Sequence, residues 1–471
     1  MAPLLLTTIA APDRDLPTPL AVQLYRSLLD AIRTGRATGS LPSSRKTAIA
    51  LGLSRNTVNA AYDLLRAEGA VDIRHGAAPR VLPPKVSDSA ALPSAGARGG
   101  LSARGEGWAR DGIRRSAGGI MAPGHPDETL FPRDEWAMHL RRAGRRRQGA
   151  GFAYADYSGI PALRSVLARR LTIDRGMQVE PDQILVTPGS QASLSLLALA
   201  LAEAGDMALI EEPGYPGARN AFRGAGLRLC PLPVDAEGAD LSGAPPARLV
   251  YLTPANQYPM GHRLSLRRRG QVLDYLNGTG ALLVEDDYDS EFHWQGREIA
   301  ALQGDAPDQV IALGTAAKAL MPALRIGWIV APRHIAGPLR AAQRNLGLGV
   351  NIHAQAALAE FMDSGRYRAH LRRIARIYGE RGRALAAALR AIPGLDLPDP
   401  SGGVQLGCRL PGGEAGIVRA LRDAGYGTAA LSDYCIGPPQ EGLITGFAEA
   451  TAERIDRFTN VLRAALASFA G

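Results

Sequence analysis

Apolar positions recur with a helical period in the first eighty residues. Leu20, Leu24, Leu28 and Ile32 stand four apart, which predicts a helix with one apolar stripe opening after Pro17 and Pro19. A short second helix should begin around Pro42-Ser43-Ser44-Arg45, turn Ala48 and Leu51 inward and stop at Gly52. Ser54 reads as the N-cap of a third, with Val58, Ala61, Tyr62 and Leu65 on its buried face and Gly69 at its end. Two helices joined by a tight glycine turn make a helix-turn-helix. On that reading Arg55, Asn56, Thr57 and Asn59 project at the N-terminal end of the third helix, where such a helix meets base edges. Val71–Arg74 and Arg80–Leu82 predict two short strands around His75-Gly76, a wing. Any three-helix core gives the same stripes, so periodicity alone leaves nucleic-acid binding and plain packing both open.

Further along, the period gives way to short continuous apolar runs: residues 184–186, 207–210, 248–252, 281–284, 310–313 and 325–330. Separated by helical or loop segments, they predict an α/β domain with a mainly parallel sheet, whose ligands collect beyond the carboxyl ends of the strands. Between Pro83 and Gly119 the chain is rich in Pro, Gly, Ser, Ala and Arg without an apolar period, which predicts a flexible linker. The expected organisation is therefore 1–82, a linker 83–119, and 120–471.

Composition sharpens this. With 471 residues and 46% hydrophobic content, the chain can bury several cores, which excludes wholesale disorder. No apolar run reaches the roughly 18 residues of a membrane span, and no basic region precedes the short apolar stretch near Met1, so a soluble, cytoplasmic protein is expected. Cys230, Cys408 and Cys435 are far apart and lack metal-like spacing, so reduced thiols and no metal are expected. The formal charge of +9 suggests an anionic partner. Of 54 basic residues only Lys46, Lys85 and Lys318 are lysines. In a chain that otherwise uses arginine, Lys318 asks for its own reason.

The candidate chemistry lies at the ends of the apolar runs. The first ends in Pro188-Gly189-Ser190-Gln191 ahead of a helix, which offers backbone N–H groups to an anion. The fourth ends in Glu285-Asp286-Asp287-Tyr288, and the fifth in Gly314-Thr315-Ala316-Ala317-Lys318, with Arg325 following. A lysine among Ala, Leu and Met is desolvated, and the lowered pKa favours the neutral amine that a Schiff base needs. The competing reading is an ordinary surface lysine on a helix.

The segments PLAVQLYRSLLDAIRTG, LPSSR and LGLSRNTVNAAYDLLRAEG resemble the winged helix-turn-helix of GntR-type regulators. The resemblance implies that Arg45 and Arg55 meet phosphates or guanines, that Thr57 meets the DNA backbone, and that the wing with Arg74 enters the minor groove. Ser54, Asn56 and Asn59 complete the expected operator contacts. The wing tip departs from the family's glycine-rich pattern, reading Gly76-Ala77-Ala78-Pro79. Residues 120–460 resemble fold type I aminotransferases through GHPDETLFPRDEW, YADYSGIPALR, EEPGYPGAR, TPANQYPMG, EDDYDSEF and GTAAKALMPALRIGW. The whole chain thus resembles the MocR subfamily of GntR regulators, which joins these two domains.

That likeness implies pyridoxal 5'-phosphate (PLP) held as an aldimine by Lys318. Asp286, with Asp287 as a rival, would meet the pyridine nitrogen. Tyr288 would meet the ring hydroxyl oxygen and Tyr215 the ring face. Gly189, Ser190, Gln191, Thr315 and Arg325 would hold the phosphate, Asn256 would substitute for an Asn expected where Tyr258 stands, and Tyr154 would reach the phosphate of a partner subunit in a homodimer. Two further departures concern chemistry: Ala317 replaces the usual hydroxyl residue before the lysine, and Ile444 stands where these enzymes place the arginine that binds a substrate carboxylate, with Arg409 a conceivable replacement. A basic cluster, Arg141, Arg142, Arg145, Arg146 and Arg147, could be a solvated helix end or a DNA-supporting patch. The expected function is a regulator that binds double-stranded operator DNA and senses a small amino compound, or PLP itself, by aldimine exchange. The alternatives are a working transaminase carrying a DNA-binding domain, and a scaffold that no longer binds PLP.

Overall fold

A computed structural model of the protein describes residues 11–74, 77–82, 100–110, 118–145, 157–294, 299–399 and 401–469. The chain divides into two units near Gly100. In the first, α1 (Leu20–Arg33), α2 (Ser44–Leu51) and α3 (Arg55–Ala67) enclose Leu24, Leu28, Ile32, Ala48, Val58, Ala61, Tyr62 and Leu65. The helix starts are fixed by side chains: Ser43 accepts from the Lys46 amide and Ser54 from the Thr57 amide, at 3.0 Å. Gly52 makes the turn between α2 and α3 at φ 61°, a left-handed conformation that glycine adopts without strain. Inside, the Tyr62 hydroxyl donates to the Pro42 carbonyl at 2.8 Å and meets the Thr47 hydroxyl, tying α3 to the start of α2. β1 (Val71–Asp72) and β2 (Arg80–Val81) pair antiparallel as the wing. His75 and Gly76 lie outside the described residues.

The second unit opens with α4 (Ala103–Arg110), followed by α5 (Arg133–Arg145), α6 (Pro161–Arg175), β3 (Ile184–Thr187), α7 (Ser190–Leu201), β4 (Met207–Glu212) and α8 (Pro216–Gly224). Next come β5 (Arg228–Asp235), β6 (Gly238–Ala239), β7 (Leu249–Leu252), α9 (Leu266–Thr279), β8 (Leu282–Asp287), β9 (Val310–Thr315), β10 (Gly327–Val330), α10 (Arg333–Asn345), α11 (Ile352–Asp363) and α12 (Arg366–Arg390). The chain ends with β11 (Gln405–Arg409), α13 (Glu414–Asp423), β12 (Ala429–Ala430), β13 (Gly442–Gly446) and α14 (Ala452–Phe469).

The main sheet runs in the order β3-β10-β9-β8-β7-β4-β5-β6. Pairing is parallel from β9 through β5 and antiparallel on both sides of β10. All six apolar runs of the sequence lie in it. Strand alternation divides their side chains between two cores: Leu185, Leu313 and Ile329 pack with α7 and α8, whereas Ile184, Val186, Ala312, Trp328 and Val330 pack with α6, α11 and α12. A second sheet, β11-β13-β12, belongs to the C-terminal part.

Helix α4 falls in the stretch expected to be a plain tether. There Trp108 donates from Nε1 to the Asn220 carbonyl at 3.2 Å, and its ring covers Gly224, where a β-carbon would collide with it. One large aromatic docks a two-turn helix without producing a periodic stripe, which is why composition alone missed it. Residues 83–99 and 111–117 lie outside the described residues.

Candidate functional site

The site is built at the carboxyl ends of β3, β8 and β9. Gly189 precedes α7 at φ 93°, and the space its absent side chain leaves is filled by the Arg325 guanidinium, 3.3 Å from where a β-carbon would stand. Arg325 itself is left-handed at φ 52°, an uncommon conformation for a residue with a side chain. Gly189, Ser190, Gln191, Thr315 and Arg325 all line one cavity of about 700 Å³. Helix N-terminal amides, hydroxyls and a guanidinium together make a cradle for a bound anion.

Alternation along β8 separates the two aspartates that the sequence left as rivals. Asp287 points away and accepts from Arg175 Nε at 2.8 Å. Asp286 faces the cavity. One of its oxygens accepts from the Tyr251 hydroxyl at 2.8 Å, while Oδ1 is buried with no hydrogen-bond partner among the described residues. Burial pushes the carboxyl up to about 6, against the Tyr251 hydrogen bond. An acceptor left open in this way suits a protonated ring nitrogen. Tyr251 was not singled out from sequence: it sits in the apolar run of β7, and only the sheet order β8-β7 brings it beside Asp286.

Lys318 follows β9, and its Nζ donates to the Gly124 carbonyl at 2.6 Å. Burial lowers the pKa of this amine, while the Asp289 and Asp286 carboxylates oppose the shift. Gly124, at φ 71°, is also the glycine whose β-carbon would stand 2.9 Å from that nitrogen. Tyr288 donates to the Asn256 carbonyl at 3.0 Å. The Asn256 side chain turns instead to Asp289, at 2.9 Å, and is not part of the cavity wall. Tyr215 begins α8 and meets Tyr258 edge-on at 5.1 Å; Tyr258 in turn meets Tyr288 and Tyr434. Tyr154 lies outside the described residues. Ile444 is fully buried on β13 beside Met260, Ala429 and Leu431, and Arg409 is exposed at the end of β11, away from the cavity.

In the small unit Arg45, Ser54, Arg55, Asn56, Asn59 and Arg74 are exposed, and Thr57 is half-buried with its hydroxyl 2.8 Å from that of Ser54. Arg55 Nε reaches Ser44 Oγ at 3.4 Å, linking the first turns of α2 and α3, and Arg74 pairs with Asp72 at 3.3 Å on the wing. The face is thus cationic and amide-bearing, as a major-groove reader requires. Arg141, Arg142 and Arg145 are exposed at the end of α5; Arg146 and Arg147 lie outside the described residues. No helix among the described residues is long and apolar enough to cross a membrane.

Comparison with known proteins agrees with both halves. Residues 20–81 match the bacterial regulatory proteins of the gntR family, and residues 126–462 match aminotransferase class I and II. The chain is 37% identical to the "Probable rhizopine catabolism regulatory protein MocR" of Rhizobium meliloti, over 96% of this chain and 95% of that one. It is 30% identical to the pyridoxine biosynthesis transcriptional regulator PdxR of Corynebacterium glutamicum, over 92% of each. Among solved structures it is similar to the α-aminoadipate aminotransferase LysN of Thermus thermophilus, in complex with a phosphopyridoxyl-leucine, at 28% identity and a TM-score of 0.70, covering 77% of this chain and 98% of that one. The anion cradle, the open Asp286 oxygen and the buried Lys318 amine fit pyridoxal 5'-phosphate, the cofactor of that aminotransferase class. A GntR winged helix-turn-helix and a class I and II aminotransferase domain follow one another in one chain, alike over nearly its whole length to MocR, so this protein belongs to the MocR-type regulators of the GntR family.

Proposed function

We propose that the protein is a PLP-dependent transcriptional regulator that binds operator DNA through α3 and responds to a small amine at Lys318. The observation that carries this reading is the pairing, in one chain, of an exposed recognition helix with a half-buried lysine that shares one cavity with a carboxylate whose second oxygen is open. Bound in the cavity, PLP supplies an aldehyde carbon that an amine can attack and a ring that withdraws electrons. The chain's own residues supply the rest. Gly189, Ser190, Gln191, Thr315 and Arg325 hold the phosphate. Asp286, kept in place by Tyr251, holds the proton of the ring nitrogen; Tyr215 covers the ring and Tyr288 faces its hydroxyl. Lys318 is kept deprotonated more readily than a surface lysine by burial, and the Gly124 carbonyl orients it.

If an effector amine took the place of Lys318, the lysine amine would be left free beside Asp286 and Asp289, whose carboxylates favour its protonated form. The two states would differ in whether Lys318 is a free amine able to carry a proton beside those carboxylates, which would give the effector the differential contact needed to shift the protein between two arrangements. Tyr154 would complete the site of a second copy, making the regulator a homodimer in the cytoplasm with its DNA. The test is the visible absorption of protein with PLP, wild type beside Lys318→Ala, together with operator affinity with and without amine. A band present only in the wild type, and an amine response of operator affinity lost in the variant, are expected; an unchanged response in Lys318→Ala would sink the reading. The retained Lys318, Asp286 and Tyr288 also favour a second reading, a transaminase. Keto-acid formation over many turnovers would support it, and a single half-reaction would not.

A further inference from the structure

The cavity has a side that the cofactor contacts leave unused. It is formed by the loop around Pro123 and His125, by Tyr258, and by Ala429 and Tyr434 of the C-terminal part. It begins at Lys318, whose amine already touches the Gly124 carbonyl of the same loop. Behind it stands an apolar cluster of Met260, Leu431 and Ile444, against which Tyr258 packs. The polar groups that reach this side are neutral: the Tyr258 hydroxyl faces the Tyr434 hydroxyl and the Gln405 amide. Burial, with the nearby Lys318 charge, lowers the pKa of His125 and disfavours its charged form. The cations of the cavity wall among the described residues are Lys318 and Arg325, and Arg325 is committed to the cradle at Gly189.

A carboxylate placed against this wall would lose hydration and find, among the described residues, no cation beyond a displaced Lys318, which the Asp286 and Asp289 carboxylates already attract. Leaving a buried charge unpaired is costly, whereas an alkyl, aryl or hydroxylated group meets rings and hydroxyls that suit it. We infer that the effector is an amine whose remainder carries no charge, without a carboxylate, sulfonate or phosphate, seated against Tyr258, Ala429 and Tyr434. This rests on the proposed reading that an amine competes with Lys318.

The test uses full-length holoprotein freed of excess PLP, titrated with matched pairs and followed by the visible band. The probes are 2-phenylethylamine against phenylalanine, and propylamine against 2-aminobutyrate, compared at one pH on the concentration of free base. Each amine is expected to reach half-saturation at no more than about one-tenth of the concentration its amino acid needs. Equal or tighter binding of the amino acids overturns the inference while leaving the Lys318 reading intact. No spectral response to any of the four removes the Lys318 reading and the inference with it. Ala429→Arg sets a guanidinium on the same wall and is expected to shift the preference at least tenfold toward the amino acids. An unchanged preference in that folded variant would show that the effector sits elsewhere.

Discussion

Asp286 is held by the Tyr251 hydroxyl. The Tyr251 hydroxyl is its hydrogen-bond donor among the described residues, and that bond works against the desolvation that raises its pKa to about 6. Tyr251→Phe removes the opposing influence, so the pKa rises further and less of the carboxylate is available near neutral pH to balance a protonated ring nitrogen. A hydrogen bond to a charged group is worth about 1.5–3 kcal/mol. PLP affinity, measured by titrating apoprotein, is therefore expected to fall about tenfold or more. Substantial retention of affinity would mean that Asp286 is held by something else. A second buried acid, Glu211 on β4, accepts from the Thr253 amide at 3.2 Å and is pushed by burial from 4.5 to about 7. Its folded pKa is raised, so the stability it contributes is full below pH 4.5 and disappears as pH rises through about 7. The span of that effect is about 3 kcal/mol. Melting temperature of apoprotein between pH 5 and 8 should fall more steeply in wild type than in Glu211→Gln; parallel curves would refute the shift.

At the scale of elements, Gly189 and Arg325 form one device. The glycine's positive φ opens α7 and its missing β-carbon admits the guanidinium. Gly189→Ala meets both a strained backbone and a 3.3 Å approach to Arg325, so weaker PLP binding and a stability loss of about 1 kcal/mol or more are expected from titration and thermal melts. Trp108 ties α4 to α8 through its bond to the Asn220 carbonyl and its contact with Gly224, and Tyr215 of the cavity begins that same α8. Trp108→Ala should expose the segment to trypsin, with faster cleavage after Arg104 and Arg110; an unchanged digestion pattern would show that α4 is held otherwise. These elements were unequally legible. Strands buried on both faces read as apolar runs, so six were visible in sequence. β5 was not, because Pro231 and Pro233 interrupt it; it tolerates them where its outer neighbour β6 covers only Val234 and Asp235. The site residues were legible where they cluster along the chain, as in Glu285–Tyr288 and Gly314–Lys318. Tyr251 and Gly124 were not, since one reaches Asp286 from a neighbouring strand and the other reaches Lys318 across 194 residues.

For the molecule as a whole, the net charge of +9 belongs with a polyanionic partner, and the small unit shows which side chains would use it. Arg45 lies on the first turn of α2, and Asn59 lies on α3 beyond its N-cap; both are exposed. The two types of contact have separable signatures. An arginine on phosphate releases counterions whatever the sequence, while an asparagine amide that pairs with a base edge distinguishes one base from another. Arg45→Ala is therefore expected to weaken operator and random DNA alike and to reduce the slope of log affinity against log salt by about 1. Asn59→Ala should leave that slope unchanged and lose about 1–3 kcal/mol of preference for operator over random sequence. Fluorescence anisotropy with both duplexes, from 50 to 300 mM salt (about the usual range for such slopes), reads both quantities at once. If Asn59→Ala altered only the slope, or Arg45→Ala altered only the preference, α3 would not be lying in the groove as its exposed face suggests, and the operator would have to be read by the wing.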